Sequence, residues 1–209
     1  MPGSITLPRL LLVTDRHATR GRELGTITVD AIRAGLRFVQ LREKDLGDEA
    51  LLRIGERLRA AMPADGAVVV NGRPAVAEGL GAGLHLPASA APVPLSGHGP
   101  RGRSVHGPAE LAAALAEGVD YVVAGNVYDT TSKPGLPGRG PGWLEEICRA
   151  AGETPVFAIG GVDAGRILDV LRAGAFGIAV RDAVLRASDP ARAVRELLAE
   201  IERCAGALR

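Results

Sequence analysis

The sequence contains few aromatic residues, since Phe, Trp and Tyr together make up 3% of its 209 residues. Proteins that bind single-stranded nucleic acid stack the bases on aromatic side chains, so this scarcity disfavours that class. The net charge of +1 agrees, because it creates no field that would attract nucleic acid or an anionic membrane. We therefore expect no nucleic-acid partner and no membrane binding.

Cysteine is also scarce, with Cys148 and Cys204 as the only two. Both fall in helical patterns far apart in the sequence, which argues against a disulfide framework or a cysteine metal cluster. The apolar runs are strand-sized and too short to cross a bilayer. Residues 1–17 lack the charged and apolar regions of a secretory signal. Together these absences favour a reducing, cytoplasmic location.

The chain does contain an alternation of short apolar runs with longer amphipathic stretches, repeated about eight times. The runs are continuous, which is typical of strands in a parallel sheet that is covered on both faces. Eight strand–helix units in about 200 residues match the smallest (β/α)8 barrels. A doubly wound open sheet is the alternative, but the first strand–helix turn lacks its glycine-rich fingerprint. We predict an α/β fold, a (β/α)8 TIM barrel that forms a single domain over residues 1–209.

In such barrels the active site forms at the C-terminal ends of the strands. The polar residues at these predicted ends include several cations, amides and hydroxyls but few carboxylates, which suggests an anionic ligand. They are Thr14, Asp15, Gln40, Arg42, Lys44, Asn71, Arg73, His85, Ser104, His106, Asn126 and Arg181. Side chains alternate along a strand, so Gln40, Arg42 and Lys44 should share the ligand-facing side. Glu43 should point the other way and have a structural role.

The ends of the last two predicted strands favour a phosphate site. Gly160 and Gly161 in "AIGGV" allow backbone amides to approach a ligand closely. Val180 and Arg181 end the eighth strand just before a short helix, whose N-terminus favours an anion. The loops after strands seven and eight are the usual phosphate site of this fold. The simpler alternative is that the two glycines only form a tight turn.

His106 ends the fifth strand and should point into the barrel mouth. Its ordinary pKa near 6.5 suits general acid/base chemistry. A lone histidine is more often structural than catalytic, so the position of His106 alone leaves both roles open. His85 also ends a strand, but we rank it lower as a catalytic candidate.

The stretch from Tyr128 to Gly142 is too long for a plain strand–helix connection. Its Gly and Pro content, between two well-patterned elements, is typical of a lid or binding loop. Thr130, Ser132 and Lys133 provide hydroxyl donors and a cation for an anionic ligand. The alternative is a surface loop that contacts no ligand.

Taken in order, these motifs resemble the thiamine phosphate synthase / thiazole tautomerase family of small (β/α)8 barrels. The most specific motif is "QLREK" at residues 40–44. The others follow in the same order: "LLLVTD" before it, then "VNGRP", "GLHL", "SVH", "GNVYDTTSKPG", "AIGGV" and "GIAV". The resemblance covers essentially the whole chain. It implies a small phosphorylated thiazole as the molecule that the protein binds.

The resemblance also separates two branches of that family. It implies that the synthase branch holds Mg²⁺ with two aspartates, and here those positions are Gly72 and either Ser89 or Ala90. A hard cation such as Mg²⁺ needs carboxylate oxygens. "SVHGPAELAAA" and "GLPGRG" are similar to the tautomerase branch instead. We therefore predict a thiazole tautomerase, an isomerase that uses no metal and no other cofactor.

The tautomerase hypothesis implies a role for each candidate residue. His106 is the predicted catalytic acid/base of a 1,3-proton shift that aromatises a carboxylated thiazole phosphate. Arg42 and Lys44 would bind the carboxylate, and the loops after strands six to eight would bind the phosphate. The full set of predicted substrate-binding residues is Gln40, Arg42, Lys44, Asn71, Asn126, Thr130, Ser132, Lys133, Gly160, Gly161, Val180 and Arg181.

Two alternatives to the tautomerase remain open from the sequence. The first is a thiamine phosphate synthase, which joins a pyrimidine pyrophosphate to a thiazole phosphate and would recruit Mg²⁺ through other residues such as Asp15. The second is a non-catalytic barrel that binds a thiazole or thiamine phosphate and regulates another process. The sequence also leaves open whether the chain forms a homo-oligomer.

Overall fold

The computed structural model describes residues 7–93, 99–130 and 135–208. Eight parallel strands form a closed barrel in which each strand pairs with the next and β8 pairs with β1. The strands are β1 Leu10–Val13, β2 Phe38–Leu41, β3 Ala67–Asn71, β4 Gly83–Leu86, β5 Arg101–Val105, β6 Tyr121–Gly125, β7 Val156–Ile159 and β8 Gly177–Val180. The predicted (β/α)8 barrel is confirmed.

The described residues contain eight α-helices on the outside of this barrel. They are α1 Leu24–Arg33, α2 Asp48–Ala61, α3 Pro74–Gly79, α4 Pro108–Ala116, α5 Gly140–Ala151, α6 Ile167–Arg172, α7 Asp182–Leu185 and α8 Pro190–Ala207. Short 3₁₀ helices cover Arg16–Ala18 and Ala164–Arg166. None of the described helices is long and apolar enough to cross a membrane.

Local sequence signals explain where several helices begin. Glu23 precedes α1, and its carboxylate accepts hydrogen bonds from the amides of Gly25 and Thr26 at 2.9 and 2.7 Å. These bonds, with that from the Thr26 hydroxyl as the largest contribution, lower the pKa of Glu23 to about 2. Asp189 caps α8 in the same way through the amide of Arg192. Such caps satisfy amides that the first helical turn leaves without partners.

The inside of the barrel changes from apolar to polar along the strands. Phe38, Tyr121 and Phe157 pack edge to face near the N-terminal ends, with ring centroids 5.2 to 5.7 Å apart. Gly102 makes room for them, since a Cβ at that position would lie 2.1 Å from the Tyr121 ring. Two residues further along the same strands stand Gln40 on β2 and Ser104 on β5. The barrel is therefore filled at one end and open to polar ligands at the other.

Candidate active site

A cavity of about 890 Å³ opens at the C-terminal ends of the strands, and all eight strands contribute to its wall. This volume lies within the usual range for small-molecule sites. Most of the predicted site residues line it: Gln40, Arg42, Lys44, Asn71, His106, Asn126, Thr130, Gly160, Gly161, Val180 and Arg181. Ser132 and Lys133 lie outside the described residues. The fold thus brings together the predicted residues that it describes, and their contact with substrate remains a prediction.

The segment after β2 is held from behind by a buried carboxylate. Glu43 is 5% exposed and accepts hydrogen bonds from the Thr14 hydroxyl at 2.7 Å and the Arg16 amide at 2.9 Å. The Thr14 oxygen in turn accepts a hydrogen bond from the Arg42 amide at 2.8 Å. Glu43 therefore has the structural role that strand alternation predicts, and Arg42 and Lys44 face the cavity.

The guanidinium of Arg42 is partly buried and lies within 4 Å of no carboxylate in the described chain. Burial is the largest influence on its pKa and lowers it, while the more distant Asp15 has the opposite effect. An arginine stays protonated in spite of such a shift. A partly buried cation without a counter-ion carries an electrostatic cost that a bound anion would relieve.

The floor of the cavity contains a buried hydrogen-bonded chain centred on His85. Its Nδ1 lies 3.1 Å from the Tyr121 hydroxyl, and its Nε2 lies 2.9 Å from the Ser104 hydroxyl. Burial lowers the pKa of His85 to about 3, with Arg42 and Arg103 as smaller causes. The imidazole is therefore neutral, and it donates through one nitrogen and accepts through the other. His85 ranks low in the sequence analysis because its burial cannot be read from a strand end.

His106 lies at the cavity mouth and is bonded to a carboxylate that the sequence analysis missed. Glu110 Oε2 accepts a hydrogen bond from the His106 amide at 2.5 Å and lies 3.0 Å from His106 Nδ1. The signal was present, because Glu110 stands four residues later in the first turn of α4. Acidic residues are favoured there by the helix dipole. A carboxylate on Nδ1 fixes the tautomer and leaves Nε2 as the exchangeable nitrogen.

Gly160 and Gly161 form a tight turn after β7 that packs against the loop after β6. Their φ angles are 96° and 62°, in the left-handed region that favours glycine. A Cβ at Gly161 would lie 2.5 Å from the Asp129 carbonyl oxygen, and one at Gly160 would lie 2.5 Å from Asn126 Cβ. The backbone therefore requires both glycines without any ligand. Phosphate binding by this turn remains a prediction.

Arg181, the predicted phosphate-binding cation after β8, already has two carboxylate partners. Its Nε donates to Asp182 at 2.6 Å, and its Nη1 donates to Asp15 at 3.0 Å. All three side chains are largely shielded, with exposures between 19% and 31%. The positive charge of Arg181 is thus largely neutralised within the protein. The same ion pair engages Asp15, the residue considered for Mg²⁺ in the synthase alternative.

The loop after β6 is tied down at its described ends. The amide nitrogen of Asn126 donates to the carbonyls of Tyr128, Leu136 and Pro137 at 3.3 to 3.4 Å. Asp129 accepts a hydrogen bond from the Gly138 amide at 2.6 Å. Asn126 therefore shapes the loop in addition to lining the cavity. Residues 131–134 lie outside the described part of the chain, so the lid role stays a prediction.

The charges around the cavity are unevenly distributed. What we call the cationic side comprises the cavity residues after β2, β3 and β4: Gln40, Arg42, Lys44, Asn71, His85, Pro87, Ala88 and Ser89. What we call the mixed side comprises the charged or titratable cavity residues after β5 to β8: His106, Glu110, Asp129, Asp163, Arg166, Arg181 and Asp182. All four carboxylates among the described lining residues belong to the mixed side. The sequence analysis missed Glu110, Asp129, Asp163 and Arg166, which lie outside the strand ends it considered.

Comparisons with known proteins agree with one another. Residues 10–184 match a family model described as thiamine monophosphate synthase. A thiamine-phosphate synthase of Thermus thermophilus is 41% identical over 175 residues, which cover 81% of this chain and 85% of that protein. That of Mycobacterium sp. (strain JLS) is 38% identical over 204 residues, 90% of each chain. The structure of a thiamine phosphate pyrophosphorylase from Pyrococcus furiosus superimposes with a TM-score of 0.83 at 29% identity, covering 94% of this chain and 96% of that one.

These comparisons contradict the predicted thiazole tautomerase. The relatives at 38–41% identity carry the name of the transferase, so the isomerase assignment is wrong and the synthase alternative is better supported. The error has a physical reason. The prediction relied mainly on the absence of aspartates at residue 72 and at residues 89–90. Those positions concern only how the protein would hold a metal ion. The similarity extends over the whole barrel and therefore over the remainder of the cavity.

Proposed function

Because the chain belongs to the thiamine monophosphate synthase family, we propose that it is a transferase that joins a pyrimidine pyrophosphate to a thiazole phosphate. The observation that carries the proposal is its identity of 38% and 41% to synthases across most of the barrel. The cavity of about 890 Å³ is large enough for two small ring compounds side by side. The reaction belongs to small-molecule biosynthesis, for which we infer a cytoplasmic location.

In this reaction the carbon–oxygen bond to the diphosphate breaks, and the diphosphate leaves with the electron pair. A new bond forms between that carbon and the thiazole. Negative charge builds up on the leaving diphosphate, and fixed cations near it lower the barrier. Arg42 and Lys44 on the cationic side are the residues to which we assign this task. Their approach to the cavity from β2 supports the assignment.

The second anionic group is the phosphate of the thiazole. We assign it to the loops after β6, β7 and β8, namely to Gly160 and Gly161 together with Thr130, Ser132, Lys133, Val180 and Arg181. Both glycines have positive φ angles and line the cavity, and successive amides in such turns are able to bind a phosphate oxygen. Asp15 and Asp182 neutralise much of the positive charge of Arg181, which limits the contribution of Arg181 to phosphate binding.

The floor and the mouth of the cavity suit the ring parts of the substrates. The uncharged groups of Gln40, Asn71 and Ser104 offer hydrogen bonds to a nitrogen-containing ring such as a pyrimidine. His106 reaches the cavity from β5, and its imidazole has an exposed edge in this wall. We assign His106 as the catalytic residue that exchanges a hydrogen bond or a proton with the bound ring, and Glu110 as the residue that orients it.

The family resemblance implies Mg²⁺ held by two aspartates, and the residues present do not fit that group. Gly72 and Ser89 or Ala90 occupy the two positions. In the part of the chain that the structure describes, no three His, Cys, Asp or Glu side chains cluster as metal ligands. The nearby donors are the Asn71 amide and the Ser89 hydroxyl, and Mg²⁺ sites depend on carboxylates or phosphates. We therefore assign no step of the reaction to a metal held by this protein.

The test is to incubate the purified protein with the pyrimidine pyrophosphate and the thiazole phosphate, with Mg²⁺ and with EDTA. We expect thiamine phosphate and diphosphate to appear together in a one-to-one ratio, measured by chromatography and a phosphate assay. Reactions that lack one substrate provide the control. Absence of thiamine phosphate under both conditions, with protein that melts cooperatively, would refute the transferase.

A further inference from the structure

We propose that this chain binds the diphosphate of the proposed reaction without a magnesium ion held by protein carboxylates, because Gly72, Ser89 and Ala90 cannot hold that metal. This inference rests on the proposed synthase function and specifies how the leaving group is recognised. It concerns the ground-state contacts of the anion, which can be measured without turnover.

The distribution of charge around the cavity is the first support. The cationic side has two positive side chains and, among its described lining residues, no carboxylate. The mixed side has four carboxylates, at Glu110, Asp129, Asp163 and Asp182. A dianionic or trianionic group entering the cavity is therefore attracted to one side and repelled from parts of the other. The binding orientation follows from residues of this chain alone.

The second support is the contrast between Arg42 and the other arginines near it. Arg73 is paired with Asp48 at 2.9 Å, Arg103 with Glu117 at 2.8 Å, and Arg181 with Asp15 at 3.0 Å. Arg42 has no such partner among the described residues, although its guanidinium is partly buried. A cation that is removed from water and left without a counter-ion gains most from binding an anion.

Arg42 is also held in position before any ligand arrives. Its amide donates to Thr14, and Thr14 donates to the buried carboxylate of Glu43. A rigid backbone lowers the entropic cost of binding, because fewer rotations are lost when the anion is contacted. The backbone of Arg42 is thus held in place by Thr14 and Glu43, which do not line the cavity.

Steric crowding does not explain why carboxylates are absent from the described lining residues beside Arg42 and Lys44, since the structure has room for them. Gly72 has a φ of 65°, and a Cβ added there would meet only the Pro87 ring, at the ordinary contact distance of 3.7 Å. Asp tolerates the left-handed region better than most residues do. Ser89 is exposed and offers a second position for a carboxylate. Aspartates can therefore be introduced at both positions to create the metal-dependent site that this chain lacks.

The experiment is isothermal titration of the full chain with inorganic pyrophosphate, in EDTA and in excess Mg²⁺. We expect pyrophosphate to bind in EDTA, and Mg²⁺ to tighten the binding by no more than about threefold. Arg42→Gln should weaken it by about 10- to 100-fold, since hydrogen bonds to charged groups have this effect. Arg73→Gln is the matched control, because Arg73 is paired with Asp48 and is not among the residues that line the cavity, and its loss should stay below about fivefold.

A variant designed to depend on Mg²⁺ for pyrophosphate binding tests the same inference from the opposite direction. In Gly72→Asp/Ser89→Asp, we expect weaker binding than wild type in EDTA, because two carboxylates repel the anion. Excess Mg²⁺ should then restore the binding by at least about tenfold. If Arg42→Gln fails to fold, Lys44→Gln takes its place, because Lys44 is exposed and lines the same side of the cavity, and a loss of at least about fivefold is expected. Thermal melts followed by circular dichroism report folding of each variant.

Three outcomes would overturn the inference: no binding in EDTA, tightening of wild-type binding by more than about threefold with Mg²⁺, or equal losses in Arg42→Gln and Arg73→Gln. The proposed function fails separately. Pyrophosphate binding in EDTA without any thiamine phosphate synthesis would reject the transferase and keep the binding mode. Thiamine phosphate synthesis together with pyrophosphate binding that requires Mg²⁺ would keep the transferase and reject the binding mode.

Discussion

The cationic side and the mixed side share one cavity mouth, yet the cations that directly follow β2 and β8, Arg42 and Arg181, differ in whether carboxylates neutralise them. On the mixed side, His106 is bonded to Glu110, and Arg181 is bonded to Asp15 and Asp182. The Glu110 carboxylate also accepts a hydrogen bond from the His106 amide just before α4. On the cationic side, Arg42 lies within 4 Å of no carboxylate in the described ranges. The comparison teaches that a cation near a cavity indicates anion binding only when the protein has not already neutralised it.

The two sides also differ in how their loops are supported. The loop after β4 is held by Arg103, which is 4% exposed and donates to the carbonyls of Ala88 and Ala90. Glu117 pairs with Arg103 at 2.8 Å and is itself mostly buried. On the mixed side, the ion pairs are more exposed to solvent. Support of the loop after β4 on the cationic side thus depends on one buried ion pair.

The largest effect should come from breaking that buried pair. Glu117→Ala leaves the Arg103 charge buried without a partner, and we expect a loss of about 3–5 kcal/mol in the free energy of unfolding. Urea denaturation measures it. Glu145→Ala removes an exposed partner of Arg149 and is the control, with a change below about 1 kcal/mol. If Glu117→Ala lowers the free energy of unfolding by less than about 1 kcal/mol, the buried pair stabilises the protein no more than an exposed pair does.

The next effect concerns the neutral floor where the two sides meet. The pKa of His85 is about 3 in the folded protein and near 6.5 when unfolded, so the unfolded chain binds more protons between these values. Stability should therefore fall as the pH is lowered through this window, by about 2 kcal/mol between pH 7 and pH 5. Denaturant titrations at these two pH values measure the loss.

His85→Gln keeps a hydrogen-bonding side chain but cannot titrate. We expect this variant to lose most of the pH dependence between pH 7 and pH 5, even if its stability at pH 7 is lower. An unchanged pH dependence would show that another group titrates in this window. Glu23 and Asp45 do not interfere, because their pKa values are lowered and their contribution is lost only in more acidic solution.

A smaller effect is expected from His106 on the mixed side. His106→Ala removes the hydrogen bond that we propose between His106 and the bound ring, which should lower kcat/KM for thiamine phosphate formation by about tenfold. Steady-state kinetics of the wild type and of Glu110→Gln provide the reference, and the Glu110 variant should lose less. A decrease of more than about 1,000-fold in kcat/KM for His106→Ala would contradict this ranking, because the mixed side would then make the larger contribution to catalysis.

The smallest effect should follow from removing one of the two carboxylates that neutralise Arg181. Asp182→Asn removes one of the two carboxylate partners of Arg181 and leaves Asp15. We expect inorganic phosphate to bind about threefold more tightly, measured by competition with the thiazole phosphate substrate. Weaker binding would indicate that the Asp182 contact positions Arg181 rather than neutralises it.

Much of the fold could be predicted from local pattern. Continuous apolar runs at β1 to β8, separated by amphipathic stretches, indicate strands that are buried on both faces, and the barrel confirms that interpretation. Because parallel strands in a barrel end at one face, residues at strand ends such as Gln40, Asn71 and His106 could be expected to meet, and they line one cavity. Alternation along β2 also separated Arg42 and Lys44 from Glu43 correctly.

Other features depend on partners that are distant in the sequence. Arg181 is neutralised by Asp15, which lies 166 positions earlier, and no short pattern connects the two. His85 loses its basicity because the barrel encloses it beside Tyr121, 36 positions later. The choice between isomerase and transferase depended on similarity across the whole chain, and two missing aspartates were a poor guide to it.

The sequence was sufficient to predict the class of fold, the edge of the barrel where the cavity opens and many of the side chains that line it. Periodicity and strand direction are local properties, and they decide these points before any long-range contact forms. Only the tertiary structure decided which charges are free to bind a ligand. Arg42 and Arg181 stand at equivalent strand ends, but folding brings carboxylates to Arg181 and none within 4 Å of Arg42 among the described residues.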